Sequence, residues 1–128
     1  MKKTVEISTQ QELSNYIHIN AHKLGITTYE LLVLLSLVLY IDKDNFWVSC
    51  PSNKMIAERS LCSERSVTSA IKSLSDKGII NNRKGAAHGY NTYNINLNVL
   101  SKLCGDEAVL VGTVFNVITG VQEVNYDY

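Results

Sequence analysis

At 128 residues and 45% apolar content, the chain can build one domain with a proper core but not two ordinary ones, and disorder is not expected for most of it. Its formal net charge is zero, so no global field draws it to a polyanion. The charge is unevenly placed, however: residues 51–96 hold seven cations against three anions, a balance of +4, while residues 1–50 come to −1 and 97–128 to −3. Positive charge gathered on one segment is the footprint of a nucleic-acid contact.

Cys50, Cys62 and Cys104 are odd in number and lack Cys-x-x-Cys spacing, which disfavours a disulfide framework or a zinc site. They read as small core residues in a reducing cytoplasm. Met1-Lys-Lys is followed by Thr-Val-Glu and not by an apolar run, so a secretion signal is not expected and the expected location is cytoplasmic.

Residues 1–8 are a polar lead in which Val5 and Ile7 form an edge strand or stay loose. Thr9-Gln-Gln-Glu12 has the form of a capping box, and Leu13, Tyr16, Ile17, Ala21 and Leu24 follow at helical spacing up to Gly25. His18 and His22 stand four apart, but no third ligand accompanies them, so an ordinary helix surface is expected and no metal. Thr27-Thr-Tyr-Glu30 repeats the box and opens a helix through Ile41, apolar almost all round. That run is far below the roughly 18–20 residues of a membrane span, so it reads as a core helix, part of which meets a second subunit. Asp42 to Asn45 is turn-like and Phe46-Trp-Val48 a short strand.

Pro51-Ser52 marks the next helix start, with Ser52 as cap and Asn53–Arg59 as body, Ile56 and Ala57 facing inward. After the turn Ser60-Leu-Cys62, Ser63 caps a helix that Gly78 closes. Val67, Ala70, Ile71 and Leu74 form its inward stripe, and Arg65, Ser66, Thr68, Ser69 and Lys72 its outward face. Two cations, three hydroxyls and no large apolar group suit a groove of nucleic acid, although a polar outer face is also the norm for surface helices.

Beyond Gly78 the period changes. Ile79–Lys84 reads as a strand, Gly85–Gly89 as a tip and Tyr90–Asn96 as a returning strand with Tyr93 and Ile95 inward, a wing with Arg83 and Lys84 at its bend. The tip glycines lack the Gly-Lys-Ser/Thr of a phosphate loop. Leu97 to Cys104 fits a short helix with Val99, Leu100 and Leu103 inward. From Asp106 to Gly120 a helical stripe capped by Asp106 is preferred over strands, although Val109, Val111, Thr113, Val114, Val117, Ile118 and Thr119 are β-branched.

The segments Pro51–Arg59, Cys62–Val67, Ala70–Ile80 and Tyr93–Ile95 together resemble the winged helix-turn-helix domains of phage and plasmid replication-initiation proteins, with winged bacterial transcription regulators close in pattern. The resemblance covers about residues 27–96 and implies a mainly α fold with a small β-wing (α+β); the chain reads as a single domain 1–128 whose apolar C-terminal extension 97–128 serves dimerisation or packs under the long core helix. One departure is Leu61, where the turn usually has glycine; a strained left-handed leucine leads us to expect another turn geometry. Longer initiators carry further domains, which favours a small regulator or accessory factor here.

The resemblance makes Ser63–Lys72 the recognition helix and Arg83 and Lys84 wing contacts to double-stranded DNA. The full candidate set is Asn53, Lys54, Ser63, Glu64, Arg65, Ser66, Thr68, Ser69, Lys72, Arg83, Lys84 and His88. Arg65, Ser66, Ser69 and Lys72 would enter the major groove, Arg65 with a two-pronged bond to guanine, while Lys54, Lys72, Arg83 and Lys84 would hold phosphates. Glu64 would accept from cytosine or stabilise the helix start. A homodimer reading two half-sites is the expected form, with no membrane association and no cofactor. The alternative is a winged helix that binds a protein through its wing or C-terminal stripe. No nucleophile triad, carboxylate pair or metal constellation appears, so an enzyme is not expected.

Overall fold

The computed structural model describes residues 3–42, 47–87 and 90–110. Among these residues the architecture is α+β: five helices with a small antiparallel sheet and a separate two-stranded parallel pair. Strand β1 (Lys3–Ile7) precedes helix α1 (Gln10–Ile19), whose first turn is closed by Thr9 Oγ1 accepting from the Glu12 amide at 3.1 Å. The Glu12 carboxylate accepts from the Ser8 amide at 3.1 Å, one residue before the partner that a reciprocal capping box would use. Helix α1 stops at Ile19, short of Gly25; Asn20 and a single 3-10 turn, Ala21–Lys23, carry the chain to Gly25 at φ +66°.

Helix α2 (Thr28–Leu39) has the complete box, with Thr27 Oγ1 accepting from the Glu30 amide at 3.2 Å and the Glu30 carboxylate from the Thr27 amide at 2.8 Å. It ends before Ile41, which instead starts strand β2 (Ile41–Asp42). The Gln10 carboxamide serves the carbonyls freed at this end, its Nε2 lying 3.1, 3.2 and 2.7 Å from the oxygens of Val38, Leu39 and Ile41. Val33, Leu34, Leu37 and Val38 are buried, whereas Leu39 is 56% exposed. No helix among the described residues is long and apolar enough to cross a membrane.

Trp47 stands at φ +55° in a turn, and strand β3 is confined to Val48–Ser49; Phe46 lies outside the described residues. Helices α3 (Asn53–Ser60) and α4 (Glu64–Asp76) follow, then the hairpin β4 (Ile80–Ala87) and β5 (Tyr90–Ile95). The sheet order is β2-β3-β5-β4, all antiparallel. Strand β4 reaches Ala87, so Arg83 and Lys84 lie within the strand and not at the bend. The core joins Leu13 and Ile17 of α1, the inner side of α2, Ile56, Val67, Leu74, Ile79, Ile80 and Tyr93 to Leu97 and Leu100 of helix α5 (Leu97–Leu103).

Two expectations for the tail are corrected. Leu103 is 43% exposed, since Ser101 and Leu100 occupy the inward side of α5. Residues 106–110 form strand β6 (Asp106–Leu110), parallel to β1 with Lys3 opposite Asp106 and Ile7 opposite Leu110. A partner strand supplied by the N-terminal segment outweighs the helical spacing. The Tyr16 hydroxyl fastens this pair to α1 by donating to Asp106 Oδ2 at 2.9 Å; burial, then that bond, raises the phenol pKa. The helical positions expected beyond Leu110 lie outside the described residues.

Candidate nucleic-acid interface

Helix α3 begins where Ser52 Oγ accepts from the Met55 amide at 3.1 Å, and its one deep anchor is Ile56. The Ser60 hydroxyl folds back onto the Ile56 carbonyl, and the Cys62 amide bonds to Ala57 O at 3.2 Å. Between them Leu61 does adopt the left-handed conformation, φ 55° and ψ 39°, with its side chain 91% exposed. The turn therefore keeps the geometry that glycine usually supplies, at a strain cost of about 1–2 kcal/mol.

Helix α4 is capped by Ser63 Oγ, which accepts from the Ser66 amide at 3.1 Å. Its far end is closed by Gly78 at φ +76°, with Ile79 N bonded to Leu74 O and Gly78 N to Ser75 O, both at 3.0 Å. Lys77 fixes the orientation of this end: its ammonium lies 3.0 Å from Glu30 Oε1 and 3.0 Å from the Gly25 carbonyl. Burial pushes the Glu30 pKa up, but bonds from the Ser73 hydroxyl, the Thr27 amide and Lys77 outweigh it and bring the carboxyl down to about 2.

Val67, Ala70, Ile71 and Leu74 face the core, as their spacing predicts. Arg65, Thr68, Ser69 and Lys72 are exposed, and Ser66 is half-buried beside the cap. Glu64 is exposed in the first turn, where a carboxylate favours the positive helix end. Thr68 Oγ1 donates to the Glu64 carbonyl at 3.1 Å, and the Asn53 amide reaches Thr68 Oγ1 at 3.5 Å. Lys54 is exposed on the outer side of α3. Lys72 is paired with Asp76 at 3.1 Å.

The outward face of α4 has two flanks. On one, Arg65, Ser66 and Ser69 share a shallow depression with Tyr29 at the start of α2. On the other, Thr68, Lys72 and Ser75 form one wall of a groove whose opposite wall is the wing, with Asn82, Lys84 and Tyr93. Asn53 and Arg83 also border it. Thus Asn53, Thr68, Lys72, Arg83 and Lys84 border one groove, while Arg65, Ser66 and Ser69 border the depression on the other flank; His88 lies outside the described residues.

Sequence reasoning missed the groove's amide lining. Asn82 Oδ1, Asn81 Nδ2 and Ser75 Oγ are buried without a protein partner. Their signal was present: asparagine is disfavoured in strands, yet the wing has Asn81, Asn82, Asn91 and Asn94. Among the described residues no cluster of three or more His, Cys, Asp or Glu side chains could hold a metal ion.

No curated protein and no solved structure matches this chain. Nothing found supports a likeness to replication-initiation proteins in particular. Residues 24–80, from the approach to α2 through the first residue of β4, match a family model described as a helix-turn-helix domain, and this segment is similar to such DNA-binding domains.

Proposed function

We propose that the chain is a sequence-specific double-stranded DNA-binding protein that places α4 in the major groove and the β4–β5 wing on the backbone or minor groove. It would work as a homodimer and serve as a small plasmid- or phage-type regulator of replication, partition or transcription. On this reading it acts by binding and not by catalysis. The observation that carries the proposal is the outward face of α4: cations, hydroxyls and no large apolar side chain, bordered by α3 and a basic wing. Arg65, Ser66 and Ser69 would address base edges, and Lys54, Arg83 and Lys84 phosphates.

Selection of duplexes from a random pool by the purified protein tests it. The expected result is an enriched motif in two half-sites about 34–36 Å apart, bound with steep salt dependence. A pool that shows no enrichment, with no salt-sensitive shift of random duplex, overturns it.

A second reading, a winged helix that binds a protein, is favoured by Leu32 and Leu39, exposed on the outer side of α2, and by the zero net charge. It predicts no duplex binding at low salt.

A further inference from the structure

On the outer crest of α4, Arg65, Ser69, Lys72 and Asp76 succeed one another at helical spacing. Asp76 is an anomaly on that line. A carboxylate in the last turn faces the negative end of the helix dipole, and a lysine four residues before an acid is the weaker order for an ion pair. On a face turned to DNA it would also repel phosphate. Its side chain is 66% exposed, so packing does not account for it; its partner is Lys72, itself 78% exposed, at 3.1 Å.

We propose that Asp76 is a specificity-determining residue that holds Lys72 away from phosphates and so suppresses sequence-independent binding. This rests on the DNA-binding reading above. With Lys72 engaged, the C-terminal half of α4 offers the duplex no net positive charge, and attraction to the backbone is left to Lys54 on α3 and to Lys84 on the wing. A reading head arranged in this way draws little affinity from arbitrary backbone and depends on base contacts near the helix start, which widens the gap between its target and other sequences.

The test is fluorescence anisotropy of a labelled random-sequence duplex titrated with wild type, Asp76→Asn, Lys72→Met and the double variant over a salt series. Asp76→Asn is expected to tighten binding and steepen the logarithmic salt slope by about 0.9, one more phosphate contact, an extra loss of roughly three- to fourfold between about 50 and 200 mM salt. Lys72→Met alone is expected to weaken binding without steepening the slope, since it leaves the Asp76 carboxylate unpaired toward phosphate, and the double variant lacks the steepening of Asp76→Asn. An unchanged slope for Asp76→Asn, or equal steepening with methionine at position 72, overturns the inference while a binding wild type leaves the DNA reading standing. A wild type that binds no duplex at low salt overturns both.

Discussion

The ammonium of Lys77, just past the end of α4, lies 3.0 Å from the Glu30 carboxylate in the first turn of α2. A single bridge therefore ties the exit of one helix to the entrance of another, and with it the angle at which α4 leaves the core. Glu30 is nearly sequestered, its side chain 7% exposed, and also accepts from the Thr27 amide at 2.8 Å.

Stability should therefore depend on acid in a defined direction. The folded carboxyl titrates at about 2 against an ordinary 4.5, so its contribution is fully present above about pH 4.5 and is lost as the pH falls toward about 2. The linkage amounts to about 3 kcal/mol. Urea unfolding between pH 7 and pH 3 should show that decline, and Glu30→Gln should flatten it while lowering stability at neutral pH. Lys77→Met should cost about 1–3 kcal/mol, less than a fully buried pair because the lysine is partly in water. Equal acid sensitivity in Glu30→Gln would show that other carboxyls are responsible.

Leu61 makes the opposite kind of prediction, a gain on substitution. At φ 55° the leucine is strained, and at 91% exposure it returns almost no burial. Leu61→Asn keeps the turn, relieves the strain and should stabilise by about 0.5–1 kcal/mol; Leu61→Gly gains less because its unfolded chain is freer. Leu61→Val should lose stability, since a β-branched residue fits left-handed backbone worst. Thermal melting of the three variants checks the order, and a valine variant as stable as wild type would contradict it.

What could be read in advance was local. Thr27, Ser52 and Ser63 announced their helices because a cap and its recipient amide lie within three residues, and Gly78 announced an end for a similar reason. The inward stripe of α4 was equally legible, its period being set by one helix. What escaped depended on partners distant in sequence. Strand β6 matched a helical spacing as well as a strand, and only Lys3–Ile7, at the other end of the chain, decides between them. Nothing within one helix marks Lys77 as the partner of Glu30, 47 residues before it, and the groove amides could not be grouped before β4 was set against α4.

The core assignment of α4 is open to a simple measurement. Val67 is fully buried with Ile71 and Leu74 on the same stripe, so Val67→Asp would place an uncompensated carboxylate in apolar surroundings. The cost, several kcal/mol, is comparable to the whole stability of a domain this size. Circular dichroism at neutral pH should find the variant largely unfolded, whereas a variant melting with the parent would show that this side of α4 does not face the core.

The proposed reading head makes two contrasting variants informative. Arg65 is exposed in the first turns of α4, beyond Ser63, where a guanidinium could meet a base edge; Lys84 projects from β4 beside the groove. Arg65→Ala should cost about 1–3 kcal/mol on a selected site and relax preference at one base pair, with little effect on random duplex. Lys84→Ala should weaken selected and random duplexes alike and reduce the salt slope by about 0.9, because a phosphate contact carries no sequence information. Measuring each variant on both duplexes over a salt series separates the roles. If Arg65→Ala instead weakened every duplex equally, Arg65 would be a phosphate contact, and base reading would have to pass to Ser66, Ser69 and their neighbours on the crest.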